Sequence, residues 1–254
     1  MTTITIGQRK GGNGKSTSAL NLAHAFAEKG RRVLLIDLDD QKNSTSAIET
    51  AEPVAHTVED LLLNPELSLS EVAVKTTWEG VSLVAASGSL SGAIRELDGE
   101  VGSHLVLREK LERGSEAFDL CLIDTSPSLN ILVVNALCAS RWLFIPLSSK
   151  YFSLQGLGQT LEAFAKVKGR LNAGLEILAL AFVLHDGRSS LAREVVGKAR
   201  SEYPDLVCTT TIGQNIRIEE AQVLRRSILG HLPLDRGSAQ YRELADELGS
   251  RLGG

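Results

Sequence analysis

Cysteine is scarce in this chain: Cys121, Cys138 and Cys208 are the only three in 254 residues, and no two stand in C-x-x-C spacing. Each falls in an apolar run, which reads as core packing rather than a redox pair or a metal site. No run of about 18 apolar residues occurs, so no transmembrane helix is expected. The first apolar run begins at Thr3, so neither a signal peptide nor an added DNA-binding module is expected ahead of it, and a cytoplasmic protein is. The last stretch, Tyr241 to Gly254, lacks the basic, bulky apolar face of a membrane-binding helix, because Glu243, Asp246 and Glu247 offset Arg242 and Arg251. No Pro/Ser-rich linker or internal repeat interrupts the sequence, and 43% hydrophobic residues suffice for one domain over 1–254.

Charge is uneven. Residues 38–119 hold 16 acidic and 6 basic side chains, whereas residues 120–254 hold 13 and 15. An anion-binding face therefore lies outside the first of these stretches. A net charge of −4 does not suit a stand-alone sequence-specific DNA binder. A local basic patch doubled in a dimer would still grip phosphates, and a merely solvated basic face fits the composition equally well.

Apolar runs read as strands at Thr3–Ile6, at Arg32–Asp37, in the segment leading to Asp124, at Trp142–Leu147, at Leu175–Val183 and at Leu206–Thr209. Helical spacing appears in 15–29, 154–171, 189–202, 216–225 and 238–252. Alternation of this kind predicts an α/β fold, a single doubly wound and mostly parallel β-sheet flanked by helices.

Between the first strand and the first helix stands Lys10-Gly11-Gly12-Asn13-Gly14-Lys15-Ser16. The common phosphate-binding loop reads G-x-x-x-x-G-K-[ST], and Arg9 occupies the place of its first glycine. The remaining pattern still suits a polyphosphate. Glycines let backbone N–H groups turn inward, and the helix N-terminus adds partial positive charge. Lys15 would lie along the β- and γ-phosphates, with the Ser16 hydroxyl on Mg²⁺ and Thr17 beside it. Asp37, at the end of the second strand, and Asp39 fall where open α/β sheets bind ligands, and Asp124 ends a third strand in the same way.

The form K-G-G-x-G-K-[ST], with a second lysine at Lys10, resembles the deviant Walker A ATPases of the ParA/MinD family, and the order of motifs resembles the small ParA/Soj-type partition ATPases. The resemblance runs from Lys10 to the C-terminus and implies a P-loop NTPase that uses ATP and Mg²⁺. It implies nucleotide contacts from Gly11, Gly12, Asn13, Gly14, Lys15, Ser16 and Thr17. Lys10 would reach the nucleotide of a partner subunit in an ATP-dependent homodimer; otherwise it is a solvated lysine. Asp39, 24 residues after Lys15, matches the aspartate that orients the attacking water. Asp37 would partner Mg²⁺ at one remove and Asp124 through water, while Thr125 to Pro127 would sense the γ-phosphate. Gln214 and Asn215 match the segment near the adenine. Arg188 and Arg217 match arginines used for non-specific DNA binding, although Arg217 could instead pair with Glu220.

Three departures stand out. Asp40 and Ser126 replace prolines in the two switch segments, which bears on hydrolysis more than on binding, and Gly213-Gln214 replaces Pro-Arg before Asn215. The implied activity is slow ATP hydrolysis in chromosome or plasmid partition, with nucleoid association and stimulation by a ParB-like centromere-binding protein. Alternatives are a division-site regulator of the MinD or MipZ kind, a cargo positioner, or a scaffold that binds ATP without useful hydrolysis. The iron–sulfur relatives that share this loop need a cysteine pair that this chain does not offer.

Overall fold

Six apolar runs become strands of one eight-stranded sheet in a computed structural model, which describes residues 1–88, 90–150 and 153–253. In chain order the first half comprises β1 (Thr2–Ile6), α1 (Lys15–Ala27), β2 (Val33–Leu38), α2 (Asn43–Ser46), α3 (Val58–Leu63), α4 (Leu69–Val72), β3 (Val74–Lys75), β4 (Val81–Val84), α5 (Leu90–Leu97) and α6 (Val106–Arg113). There follow β5 (Leu120–Thr125), α7 (Ile131–Ala139), β6 (Trp142–Ser148), α8 (Ser153–Arg170), β7 (Glu176–His185), α9 (Ser190–Glu202), β8 (Val207–Gly213), α10 (Ile216–Val223), α11 (Ile228–His231) and α12 (Arg236–Leu252). The strand order is β3-β4-β2-β5-β1-β6-β7-β8, and every pair is parallel except β3 with β4.

Strand geometry divides each central run between two cores, because successive side chains leave opposite faces. Ile4, Ile6, Val33, Leu35, Leu120 and Leu122 join one cluster beneath α1, α11 and α12, while Leu34, Ile36, Leu38, Cys121 and Ile123 join another beneath α3 to α7. Leu143, Ile145 and Leu147 pack with β7, α8 and α9 in a third. Runs apolar at every position are what a parallel sheet covered on both faces requires. Each cysteine is free and buried in a different cluster, so no pair is available to hold an iron–sulfur centre. Burial pushes the Cys138 thiol up to about 11 and the Cys208 thiol up to about 12.

Helix boundaries follow local signals. Asn130, Ser189, Asn215 and Asp235 cap α7, α9, α10 and α12 through side-chain oxygens that accept first-turn N–H groups. The helical pattern expected over 216–225 ends at Val223, and α11 follows as a separate turn. The apolar face of α12 is consumed inside the molecule, since Tyr241, Leu244, Ala245 and Leu248 are buried in the core it shares with α1. Among the described residues, no helix is long and apolar enough to cross a membrane.

Candidate functional site

The sheet sets three functional segments side by side. β5 lies between β2 and β1, and its register aligns Asp37 with Asp124 and Asp124 with Ile6, the last residue of β1. Gly12 and Gly14 take left-handed φ values of 70° and 71°. Gly14 is doubly constrained, because a Cβ there would stand 2.9 Å from Val183 Cγ2 on β7. The N-cap of α1 is Gly14, which has no side chain to cap it, and the first turn carries no acidic residue, so its leading N–H groups and the positive end of its dipole are left for an anion.

Beside that helix end lies a cleft of about 830 Å³, within the range of small-molecule sites. Gly11, Gly12, Gly14, Lys15, Ser16 and Thr17 form one side; Asp39, Gln41, Asn43 and Pro127 add to it; and Glu219, Gln222, Val223 and Arg225 form another wall. Lys15 is buried, and desolvation lowers its pKa against the opposing pull of Asp124 and Asp39. The Asn13 side chain is buried beneath the loop, where its Oδ1 accepts from Ser148 Oγ at 2.9 Å and Ser153 Oγ at 3.5 Å. It anchors the loop to β6 and α8, so its backbone is what it offers a ligand. Lys10 is half-buried outside the cleft lining, close to α8: a Cβ placed on Gly156 would come within 3.1 Å of Lys10 Cβ.

The three aspartates differ in what they have left to offer. Both oxygens of Asp37 are used: Oδ2 accepts from Thr45 N and Thr45 Oγ1, each at 2.8 Å, and Oδ1 from Asp39 N at 3.1 Å. Asp37 thus fixes the start of α2, and Thr45 Oγ1 in turn accepts from Ala86 N at 2.9 Å. Burial raises its pKa against those hydrogen bonds. Asp39 reaches the cleft while its Oδ1 accepts from Gln41 N at 3.1 Å; burial raises its pKa also. Asp124 Oδ2 accepts from Ser44 Oγ at 2.7 Å, whereas its Oδ1 is buried without a hydrogen-bond partner among the described residues. Burial, followed by the adjacent Asp37 charge, pushes the Asp124 carboxyl up to about 7, against the pull of the Ser16 and Ser44 hydroxyls and Lys15.

A buried carboxylate oxygen without a donor fits a hydrated divalent cation, which would answer both its charge and its lone pairs. Among the described residues there is no group of three or more His, Cys, Asp or Glu that could hold a metal ion. Such a cation would therefore complete its shell with Ser16, water and ligand phosphates, the usual mode for Mg²⁺.

Gln214 and Asn215, like Lys10 and Asn13, sit apart from the cleft lining. Asn215 Oδ1 accepts from Arg217 N at 3.0 Å and its Nδ2 donates to Asp235 Oδ1 at 2.6 Å, while Gln214 N donates to the His185 carbonyl at 3.1 Å. The wall at Glu219, Gln222, Val223 and Arg225 was missed from sequence, and only the packing of 222–228 on α1 reveals it. Arg188 and Arg217 leave the C-terminal ends of neighbouring strands, since β7 and β8 pair through His185 and Gly213. Arg188 is 92% exposed with a contact to Asp186, and Arg217 pairs with Glu220 at 2.8 Å, the alternative raised from its sequence context.

A strand, a glycine loop and an uncapped helix around a buried lysine define a P-loop nucleotide hydrolase. An AAA domain family model matches residues 1–177. The chain is 36% identical to the chromosome partitioning protein ParA of Caulobacter vibrioides over 98% of this chain and 94% of that protein. It is also 36% identical to the chromosome-partitioning ATPase Soj of Thermus thermophilus, over 98% and 96%. Among solved structures, cobyrinic acid a,c-diamide synthase from Mycobacterium smegmatis with bound ATP analog and magnesium is similar at a TM-score of 0.85 and 28% identity, covering 100% of this chain and 96% of that one. The chain belongs to the ParA/MinD family of P-loop ATPases. It is an ATPase, and its similarity to ParA and Soj supports a role in partition.

Proposed function

We propose that the protein is a nucleotide-gated DNA-partitioning switch: Mg-ATP closes a homodimer, the dimer binds DNA without sequence preference, and hydrolysis stimulated by a ParB-like partner releases it. The observation that carries this reading is the cleft at the acid-free start of α1, lined by the buried Lys15 and by Ser16, with the buried Asp124 carboxylate close enough behind them to act on both. Backbone N–H groups of Gly11 to Ser16 bind the β-phosphate, and Lys15 spans the β- and γ-phosphates. Bound Mg²⁺ supplies charge neutralisation to the phosphate oxygens. Ser16 and Asp124 hold it, and Asp37 fixes the segment that carries Ser44 against Asp124. Asp39 orients water toward the γ-phosphate. Lys10, outside the lining of its own cleft, serves the partner's nucleotide.

Arg188, in the loop after β7, and Arg217, in the first turn of α10, would neutralise DNA phosphates without reading bases. Their weak surface pairs with Asp186 and Glu220 can yield to phosphate. The buried apolar face of α12 favours DNA over a membrane as the surface bound. Sedimentation with ATP, ADP or no nucleotide tests the switch, with phosphate release measured alongside. The proposal requires an ATP-dependent dimer and hydrolysis lost in Lys15→Ala; a monomer under all conditions contradicts it.

A further inference from the structure

One stripe of the P-loop helix carries the far wall of the cleft. Gln222 Nε2 donates to Thr17 Oγ1 at 3.1 Å, Ile228 N donates to Asn21 Oδ1 at 2.9 Å, and His24 Nδ1 is hydrogen-bonded to Ser227 Oγ. Thr17, Asn21 and His24 follow the spacing that places residues on a single helix face. Trp78 completes the join, stacking on His24 with ring centroids 5.4 Å apart while its indole N–H donates to the Arg225 carbonyl at 3.3 Å. The segment 222–228 is thereby fixed relative to the loop that would hold phosphates.

At the centre of this segment Arg225 has φ 55°, in the left-handed region where a Cβ is disfavoured and glycine is at ease. The turn is tight: Arg225 N donates to the Gln222 carbonyl at 3.0 Å and Arg226 N to the Ala221 carbonyl at 2.9 Å. A residue that strains a turn glycine could make invites a reason in its side chain. Arg225 lines the cleft, is exposed, and forms no ion pair with a described residue, unlike Arg217 one helix earlier, which is paired with Glu220. Its neighbour Arg226 does not line the cleft.

We propose that Arg225 is a nucleotide-binding residue: the Trp78–His24–Ser227 join fixes its backbone at the cleft, and its guanidinium bonds to phosphate oxygens of the bound nucleotide. This rests on the nucleotide reading above and adds a second cation to the Lys15 of the glycine loop. A guanidinium suits the task because its planar donors match phosphate oxygens and its charge does not titrate. The contact acts in the ground state, so ADP and ATP both gain from it.

The test is calorimetric titration of ADP and ATP into wild type, Arg225→Gly and Arg225→Lys, with unfolding midpoints measured on the same samples. Relief of strain and loss of the cation act in opposite directions. Arg225→Gly is expected to unfold no lower than wild type yet bind both nucleotides about tenfold more weakly, with Arg225→Lys, which keeps the charge but not the planar donors, recovering part of the loss. Affinities within about twofold of wild type in Arg225→Gly, or no recovery in Arg225→Lys, overturn the proposal. Wild type that binds neither nucleotide, and matches Lys15→Ala in this, would instead overturn the nucleotide reading on which it rests.

Discussion

Replacing Asp124 by asparagine should change the pH dependence of stability in a way the structure fixes in sign. Asp124 is fully buried beside Asp37, and its carboxyl is pushed from 3.8 up to about 7. Between those values the folded protein keeps a proton that the unfolded chain has lost, so stability falls as pH rises, and the loss is complete above about pH 7. At 1.36 kcal/mol per pH unit, the group costs roughly 2 kcal/mol at pH 5 and about 4 kcal/mol at pH 8. Wild type without nucleotide or metal should thus lose roughly 2 to 3 kcal/mol from this site between pH 5 and 8, a quantity that includes its coupling to Asp37. The amide introduced by Asp124→Asn does not titrate and has no such slope, so the variant should gain on wild type by that amount over the range. Urea denaturation of both proteins across pH 5 to 8 in the presence of a chelator measures the difference, from which unrelated titrations cancel. Profiles that stay parallel within about 0.5 kcal/mol would refute the reasoning.

Gly14→Ala should lower stability by about 2 kcal/mol in thermal denaturation and weaken ATP binding, since it combines φ 71° with a 2.9 Å approach to Val183. Gly11→Ala meets nothing within 4 Å and should leave stability within about 0.5 kcal/mol of wild type. Lys110→Met removes an ammonium that donates to the carbonyls of Asn64, Pro65 and Leu67 at 2.7, 2.9 and 2.5 Å. It should cost about 2 kcal/mol in denaturant while ADP affinity, read by calorimetry, is unchanged.

The doubly wound sheet was legible in the sequence because its central strands are unbroken apolar runs and the helices between them keep helical spacing. The edge was not: β3 has two residues and β4 four, too short for a period to show, and their place is set by the pairing of β4 with β2 and of β3 with β4. The glycine loop announced itself through residue types that a phosphate demands. Asp124 was equally visible as a strand-end carboxylate, but the difference between its open Oδ1 and the fully engaged Asp37 depends on Ser44 and Thr45, which arrive from a four-residue helix. The Gln222–Arg225 wall escaped because Thr17, Asn21 and His24 meet 222–228 across roughly two hundred residues, and Asn215, nearer in motif, spends its side chain capping α10.

The most direct test of the central claim is DNA binding by the purified protein at a stated salt concentration with no nucleotide, ADP or ATP, and by Lys10→Ala with ATP. A nucleotide-gated switch predicts binding by wild type with ATP alone and its loss in Lys10→Ala; equal DNA affinity in all four conditions would contradict it.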